Sequence, residues 1–179
     1  MKEITITKEI YIAAYKKARK LGALKNSIMK GGGNFTGFIG EYAVKHFFNQ
    51  PLDFETYDYD MILGDEKFDI KSKKTTVIPK MSYDASVCDK NLKQKCDHYL
   101  FVRVYWPIHS ELPLKAYMMG YYPAQKFISE ATAWKKGQLD PTNNYTVKED
   151  CRNLFYHQMN SIANLVEKYC VNKTEPTLF

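Results

Sequence analysis

The sequence lacks the features that mark membrane and secreted proteins. No uninterrupted apolar run among the 179 residues approaches the ~20 residues that a transmembrane helix needs. The N-terminal segment MKEITITKEIYIAAYKK alternates charged and apolar residues, without the apolar core or small-residue cleavage site of a signal peptide. These absences predict a cytoplasmic protein with no membrane partner.

Cysteine is scarce, and its spacing is not that of a zinc module. The chain has four cysteines, Cys88, Cys96, Cys151 and Cys170, and no two of them form a C-x-x-C pair. Cys88, Cys96 and His98 match no common zinc-ligand spacing. We therefore expect reduced, half-buried thiols in a reducing compartment.

Internal repeats and low-complexity tracts are also absent, and the triple glycine at 31–33 is not followed by the Lys-Ser/Thr of a P-loop. Hydrophobic residues make up 45% of the chain, which is enough for a buried core and predicts one domain over residues 1–179. Lys and Arg number 26 against 20 Asp and Glu, a net charge of +6. This mild excess favours a polyanionic partner such as nucleic acid.

Hydrophobic periodicity and turn residues predict the order of the elements. Strands are expected at about 56–63, 66–73, 97–106 and 114–122, and helices at about 8–21, 35–48, 123–131 and 148–169, with a loop over 134–148. This order predicts a mixed α/β domain with a central sheet flanked by helices.

The segment YDYDMILGDEKFDIKSKK predicts a β-hairpin that brings two acids together. Gly64-Asp65 is a recognised two-residue hairpin turn. The register that it sets has the following pairs: Leu63–Glu66, Met61–Phe68, Asp60–Asp69, Tyr59–Ile70 and Asp58–Lys71. Because side chains alternate between faces, Met61 and Phe68 lie on a core face, whereas Asp60, Asp69 and Lys71 share the other face.

The paired aspartates break the local rules of strand pairing. Like charges directly opposite each other destabilise a strand pair, by something like 0.2–1 kcal/mol. A violation on one face of a well-formed hairpin suggests a functional site, and two converging carboxylates suit a hard divalent cation. The alternative is an exposed face on which Lys71 and Lys73 neutralise the acids.

The second predicted helix carries another acid, Glu41, on its apolar stripe. Gly37 and Gly40 flank it, although each glycine costs a helix roughly 1 kcal/mol relative to alanine. Small residues at these positions could let the helix approach another backbone closely. The alternative is that Glu41 only pairs with Lys45 at i+4 on the helix surface.

The runs GFIGEYAVKHF, YDYDMIL and FDIKSK together resemble the PD-(D/E)XK nuclease superfamily. Its signature is a helix Glu, a strand Asp, and (Asp/Glu)-x-Lys on the adjacent strand, which correspond here to Glu41, Asp60 and Asp69-Ile70-Lys71. The match covers about residues 35–74. The run NLKQK and the following HYLFVRVYW resemble the next part of the core, to about residue 106, and add Lys93 or Gln94 as a site residue. No proline precedes Asp60, and the last third of the chain matches no subfamily.

The resemblance implies a restriction-endonuclease-like core and hydrolysis of phosphodiester bonds with Mg²⁺ or Mn²⁺. Asp60 and Asp69, with the Ile70 carbonyl, would hold the metal, and Glu41 would bind a second metal or a metal-bound water. Lys71 would stabilise charge that develops on the phosphate. Lys73 and Lys74 would contact the nucleic-acid backbone, with DNA expected rather than RNA.

Two alternatives to a simple DNA endonuclease remain open from the sequence. The domain could be a basic nucleic-acid-binding module that has a nuclease-like fold without activity. It could also be a recombination enzyme like a Holliday-junction resolvase, for which a homodimer would supply two symmetric cuts.

Overall fold

The structure, a computed structural model, describes residues 1–21, 32–54, 56–141 and 144–170. Within them it contains four α-helices, namely α1 (Lys8–Leu21), α2 (Gly32–Phe47), α3 (Ala124–Glu130) and α4 (Ile162–Cys170). The strands are β1 (Lys2–Thr5), β2 (Met61–Leu63), β3 (Glu66–Thr75), β4 (Asp84–Cys88), β5 (His98–Tyr105), β6 (Lys115–Pro123), β7 (Thr132–Trp134), β8 (Leu139–Asp140), β9 (Tyr145–Thr146) and β10 (Cys151–Phe155). Short 3-10 helices occupy Asp89–Asn91 and Tyr156–Gln158.

A mixed five-stranded sheet forms the centre of the fold, in the order β1-β6-β5-β3-β2. The β3 and β5 strands are parallel, and the other neighbours in this sheet are antiparallel. The predicted α/β class with a central mixed sheet is therefore confirmed. None of the described helices has the length and apolar character needed to cross a membrane.

Helices cover one face of this sheet. On β5 the alternate residues Leu100, Val102 and Val104 are buried in the same apolar cluster as Ile10 of α1 and Ile39 of α2. The other β5 residues point to the opposite face. The α1, α2 and α4 helices thus bury one side of the central sheet by ordinary strand alternation.

The opposite face is covered by α3 and a second, three-stranded sheet in the order β4-β10-β7. Tyr99 and Phe101 of β5 are buried there with Phe127 of α3, Val87 of β4 and Leu154 of β10. The fold therefore has helices on one side of the central sheet and a small antiparallel sheet with one helix on the other.

Most of the predicted elements are confirmed to within a few residues. The predicted helix 8–21 is α1, and the predicted strands 97–106 and 114–122 are β5 and β6. The predicted helix 123–131 is α3. The helix expected at 35–48 begins earlier, at Gly32, so part of the triple glycine is helical, while Gly31 lies outside the described residues.

The predicted helix over 148–169 is wrong, because its first part is strand β10 and only Ile162–Cys170 is helical. Leu154 and Tyr156 are buried while Phe155 between them is exposed, which is the period of a strand. The β4 and β7 strands supply the partners that stabilise this conformation. The predicted loop 134–148 also contains the short β8–β9 pair, and β1 lies in the N-terminal segment that alternates charged and apolar residues.

The hairpin turn is confirmed, but its first strand is much shorter than predicted. Leu63 pairs with Glu66 and Met61 pairs with Phe68, and Gly64 adopts φ of 59° in the turn. Before Met61 the ladder ends, so the predicted Tyr59–Ile70 and Asp58–Lys71 pairs do not form.

A side chain replaces the backbone at this point of the ladder. The Ile70 N–H donates to Asp60 Oδ2 at 2.6 Å, and the Thr56 hydroxyl donates to the Tyr59 carbonyl at 2.7 Å. The Asp60 N–H donates to the Phe68 carbonyl, so Asp60 is not in regular register with Asp69. Short polar side chains compete with backbone groups for hydrogen bonds, and here they end the strand.

Candidate active site

Three carboxylates from three elements form one electrostatically coupled group, which we call the acid cluster: Glu41 of α2, Asp60 before β2 and Asp69 of β3. Loss of solvation raises the pKa of Asp60 well above its usual range, and the charges of Glu41 and Asp69 raise it further. Burial also raises the pKa of Glu41, with a smaller contribution from Asp69 in the same direction. The fold thus gathers acids where partial burial weakens their screening by solvent.

Asp60 is positioned by the irregular end of the hairpin. Its hydrogen bond from the Ile70 N–H lowers its pKa, but not enough to cancel the desolvation. A residue in a strand directs its N–H and carbonyl toward the same neighbouring strand. The Ile70 carbonyl therefore points toward the side of β3 on which Asp60 lies, as a metal ligand at this position would.

Glu41 is positioned by close packing of α2 on β3. A Cβ atom added at Gly40 would lie 2.0 Å from Ser72 Oγ and 2.8 Å from Ser72 Cβ, so only glycine fits there. At Gly37 an added Cβ would have no neighbour within 4 Å. The expected close approach of the helix therefore occurs at Gly40, and the next residue is Glu41.

The i+4 pair of Glu41 with Lys45 is formed, but it is not a surface pair. Lys45 Nζ lies 2.5 Å from Glu41 Oε1 and donates to the Phe54 carbonyl at 2.9 Å. The Lys45 side chain is 0% exposed. Lys17 of α1 also lowers the pKa of Glu41, so two cations from the helical layer oppose the effect of burial.

Lys71 joins the acid cluster to the chain segment that precedes β5. Its Nζ lies 2.5 Å from Asp69 Oδ2 and donates to Gln94 Oε1 at 2.8 Å, while the Gln94 amide donates to the Tyr57 carbonyl at 2.8 Å. Asp69 is buried, and its Oδ2 accepts no hydrogen bond of good geometry. Gln94, rather than the exposed Lys93, is therefore the residue of this segment that reaches the cluster.

A cavity of about 550 Å³ begins at Lys71 and extends between the central sheet and the β4–β10 pair. Lys73, Asp84 and Asn153 are among its polar lining residues. Loss of solvation lowers the pKa of Lys73, and the nearby Arg103 lowers it further. Lys74 lies apart from this cavity, with its Nζ 4.3 Å from the Trp106 ring centroid.

Sequence reasoning missed several residues around the acid cluster. The sequence suggests Lys45 only as a surface partner of Glu41, whereas its side chain is fully buried between Glu41 and the Phe54 carbonyl. Burial raises the pKa of Cys96 to about 12, and the charge of Asp69 raises it in the same direction. Lys71 Nζ lies 5.8 Å from the Tyr99 ring centroid. The burial of Lys45 could be expected from the sequence, because Lys45 lies one turn after Glu41 beside the apolar stripe of α2. Nothing local in the sequence indicates that Cys96 and Tyr99 lie near the acid cluster.

The donor set is of the type that Mg²⁺ prefers, but it is not a preformed cage. In the described part of the chain, no three Asp, Glu, His or Cys side chains are arranged to hold a metal ion together. Mg²⁺ commonly takes one or two carboxylates and completes its shell with water and substrate phosphate. Asp60, Asp69 and the Ile70 carbonyl fit that requirement in chemistry, and a cation would relieve the repulsion that raises the pKa of Asp60.

Comparisons with protein-family models, with curated proteins and with solved structures gave no significant match. The residues of this chain and their arrangement are therefore the basis on which its function is inferred.

Proposed function

We propose that the protein is a metal-dependent nuclease with a restriction-endonuclease-like core, which hydrolyses phosphodiester bonds in nucleic acid, with DNA as the expected substrate. One observation carries the proposal. The helix acid, the strand acid and the acid of the Asp-x-Lys motif are separated in the sequence but lie within electrostatic reach of one another, and Lys71 contacts Asp69.

The arrangement of elements around the cluster supports the same proposal. Glu41 comes from the helix that packs on β3, and Asp60 directly precedes β2, which pairs with β3. The next core strand, β5, lies on the other side of β3. This is the order of element types in which the superfamily signature occurs.

The chain's own residues have distinct roles in this proposal. Asp60 and Asp69, with the Ile70 carbonyl, would hold Mg²⁺ or Mn²⁺, and the bound metal would supply phosphoryl polarisation and an acidified water. Lys71 has an ammonium that contacts two side-chain oxygens, and its remaining proton can be donated to a phosphate oxygen. Glu41 would accept a hydrogen bond from the attacking water and orient it.

The cavity beside Lys71 gives room for the part of the substrate next to the reacting phosphate. Its volume of about 550 Å³ lies within the range of small-molecule sites. The lining carries charges of both signs, with three lysines (Lys71, Lys73 and Lys148) and three acids (Asp84, Asp140 and Glu149). Tyr145 adds an exposed ring on which a base can stack. A nucleotide that flanks the cleaved bond would use the lysines for its phosphate and Tyr145 for its base.

A second candidate is an inactive nucleic-acid-binding module, and one observation favours it. Glu41 and Asp69 each have a lysine amine at 2.5 Å, so two of the three acids are already neutralised in the metal-free protein. A site of this kind could retain its ion pairs as structural contacts and contribute only charge and shape to binding.

The test is incubation of the purified protein with linear duplex, single-stranded and branched DNA, and with RNA, in Mg²⁺, Mn²⁺ or EDTA. Asp69→Asn removes the charge with little change in shape, and Asp65→Asn in the exposed hairpin turn is the matched control. We expect metal-dependent cleavage that falls by about 100-fold or more in Asp69→Asn and not in Asp65→Asn.

Other outcomes separate the alternatives. Binding without cleavage under every metal condition would support the inactive module. Paired cuts confined to branched DNA, made by a dimer, would indicate a junction-resolving enzyme.

A further inference from the structure

Cys88 and Cys151 face each other in the second sheet, although they are far apart in the sequence. They are Cα partners in the antiparallel β4–β10 ladder. Both line the cavity beside Lys71, so both side chains point to the same side of the ladder. Cys96 precedes β5 and Cys170 ends α4, so the other two cysteines belong to different elements.

The hydrogen bonds at the two ends of this ladder show whether Cys88 and Cys151 form a hydrogen-bonded or a non-hydrogen-bonded pair. The Asp89 N–H donates to the Asp150 carbonyl at 2.9 Å, and the Tyr156 N–H donates to the Tyr83 carbonyl at 3.0 Å. Hydrogen-bonded and non-hydrogen-bonded pairs alternate along an antiparallel ladder. Since 89–150 and 83–156 are hydrogen-bonded, the pair 88–151 between them is a non-hydrogen-bonded pair.

A non-hydrogen-bonded pair is the closer of the two types, with Cα atoms about 4.5 Å apart. Disulfides span Cα separations of about 4.4–6.8 Å, so the backbone register already has the spacing that a disulfide needs. From this geometry we propose that Cys88 and Cys151 are an oxidative modification site, at which a cross-strand disulfide forms in the wall of the cavity.

The reaction requires an oxidant, and we propose a hydroperoxide such as hydrogen peroxide. One thiol, as thiolate, attacks a peroxide oxygen and breaks the O–O bond, forming a sulfenic acid and releasing water. The second sulfur then attacks the sulfenic sulfur and expels a second water. The two sulfurs lose two electrons in total and hydrogen peroxide gains them, so two thiols and one peroxide give one disulfide and two waters.

The surroundings of Cys151 make its own thiol slow to react. Burial raises the pKa of the Cys151 thiol, which a hydrogen bond with Ser86 partly offsets. Less thiolate at neutral pH means slower attack on a peroxide. The disulfide would join β4 to β10 where both strands line the cavity, and this inference does not depend on the proposed nuclease function.

The test uses the full chain, treated with hydrogen peroxide at mildly alkaline pH. The Cys96→Ser/Cys170→Ser variant retains only the proposed pair, and Cys88→Ser and Cys151→Ser each break it. We expect thiol titration of the wild type to fall from four groups to two, with a mass decrease of two hydrogens. Non-reducing proteolysis should release one peptide pair joined through Cys88 and Cys151.

The crosslink should also raise Tm by about 5–10 °C, reversibly with dithiothreitol, because it restricts the unfolded chain. Cys88→Ser and Cys151→Ser should show neither effect, whereas Cys96→Ser/Cys170→Ser should show both. The proposal is overturned if peroxide only adds oxygen to single thiols. It is also overturned if the crosslinked species persists in Cys88→Ser.

Discussion

At the scale of single residues, the acid cluster is a balance between burial, like charges and two lysines. Burial and mutual repulsion raise the pKa of Glu41 and Asp60, whereas Lys45 and Lys71 act in the opposite direction. Removing one of these lysines should therefore lower the free energy of unfolding. Removing an acid should raise it, unless the change leaves a buried lysine without its carboxylate.

Glu41→Gln should destabilise the metal-free protein, because it leaves the fully buried Lys45 ammonium without its carboxylate. Burial raises the pKa of Glu41 even with Lys45 beside it, so removing this acid also relieves part of the cost of its own desolvation. We therefore expect a net loss in the free energy of unfolding of about 1–2 kcal/mol, less than for other broken buried ion pairs. Urea denaturation measures this loss. Glu167→Gln on the exposed face of α4 is the control and should stay within about 0.5 kcal/mol of the wild type.

Adding Lys45→Met to Glu41→Gln should recover most of that stability, since no buried charge then remains. If Glu41→Gln alone left stability unchanged, Lys45 would not depend on Glu41, and the ion pair would be irrelevant to the fold.

Asp60→Asn should stabilise the metal-free protein at neutral pH. The raised pKa of Asp60 means that the native state holds a proton that the unfolded chain has already released. The free energy of unfolding of the wild type therefore falls as pH rises from about 4 through the native pKa. Asn retains an oxygen that accepts from the Ile70 N–H, but it does not titrate. The free energy of unfolding of the variant therefore lacks the decrease with pH that Asp60 causes in the wild type.

Urea denaturation of both proteins from pH 3.5 to 8 tests this. The two curves should converge at the acidic end and separate above it, with the variant more stable. Mg²⁺ should raise the stability of the wild type at pH 8 and have less effect on Asp60→Asn. A variant that is less stable than the wild type at pH 8 would show that the Asp60 charge is not repelled in the native state.

At the scale of elements, the contact of α2 with β3 decides whether Glu41 reaches the other acids. The contact is close at Gly40, where Ser72 and Val102 leave no room for a side chain. Glycine costs a helix free energy relative to alanine, and at this position the close packing that it permits offsets that cost.

Gly40→Ala should therefore destabilise the protein by about 1–3 kcal/mol, as overpacked cores do, and should lower nuclease activity by displacing Glu41. Gly37→Ala is the matched control in the same helix, because an added Cβ there meets nothing within 4 Å. It should stabilise by up to about 1 kcal/mol through helix propensity. Thermal unfolding distinguishes the two, and equal effects would mean that α2 can shift freely on the sheet.

The elements also show where local pattern is insufficient. Phe155, Met159, Ile162 and Leu165 follow one another at intervals of four, three and three residues, which is compatible with one long helix, yet Phe155 belongs to β10 and the last two belong to α4. A short apolar segment becomes a strand when a neighbour offers backbone partners, and β4 is distant in the sequence.

At the scale of the whole molecule, the cavity exists because two sheets meet. Lys71 and Lys73 come from the central sheet, and Ser86 and Asn153 come from the β4–β10 pair. Neither sheet alone encloses the space, so a substrate that enters it contacts both halves of the structure.

Ser86→Phe should fill part of this cavity and weaken substrate binding at least 10-fold without changing the acid cluster. Ser129→Phe on α3, exposed and outside the cavity lining, is the control and should bind as the wild type does. Fluorescence anisotropy with labelled DNA in EDTA measures binding separately from cleavage. Equal binding by both variants would place the substrate outside the cavity.

The sequence by itself determined those parts of the protein that depend on neighbouring residues. The amphipathic period of α1, the Gly64-Asp65 turn and the pairing of Met61 with Phe68 follow from residues a few positions apart. The order of helices and strands, from which the mixed α/β class was predicted, follows from the same local patterns. That Asp60, Asp69 and Lys71 share a site was also an expectation from the hairpin, and their catalytic role remains a prediction.

Only the tertiary structure decided the rest, because it depends on contacts between distant segments. The burial of Lys45 and the pairing of Cys88 with Cys151 each need a partner that no local pattern identifies. Burial changes the free energy of a charge, and strand pairing selects between conformations of similar local energy. Both effects arise when the chain closes on itself, so they cannot be read from a window of sequence.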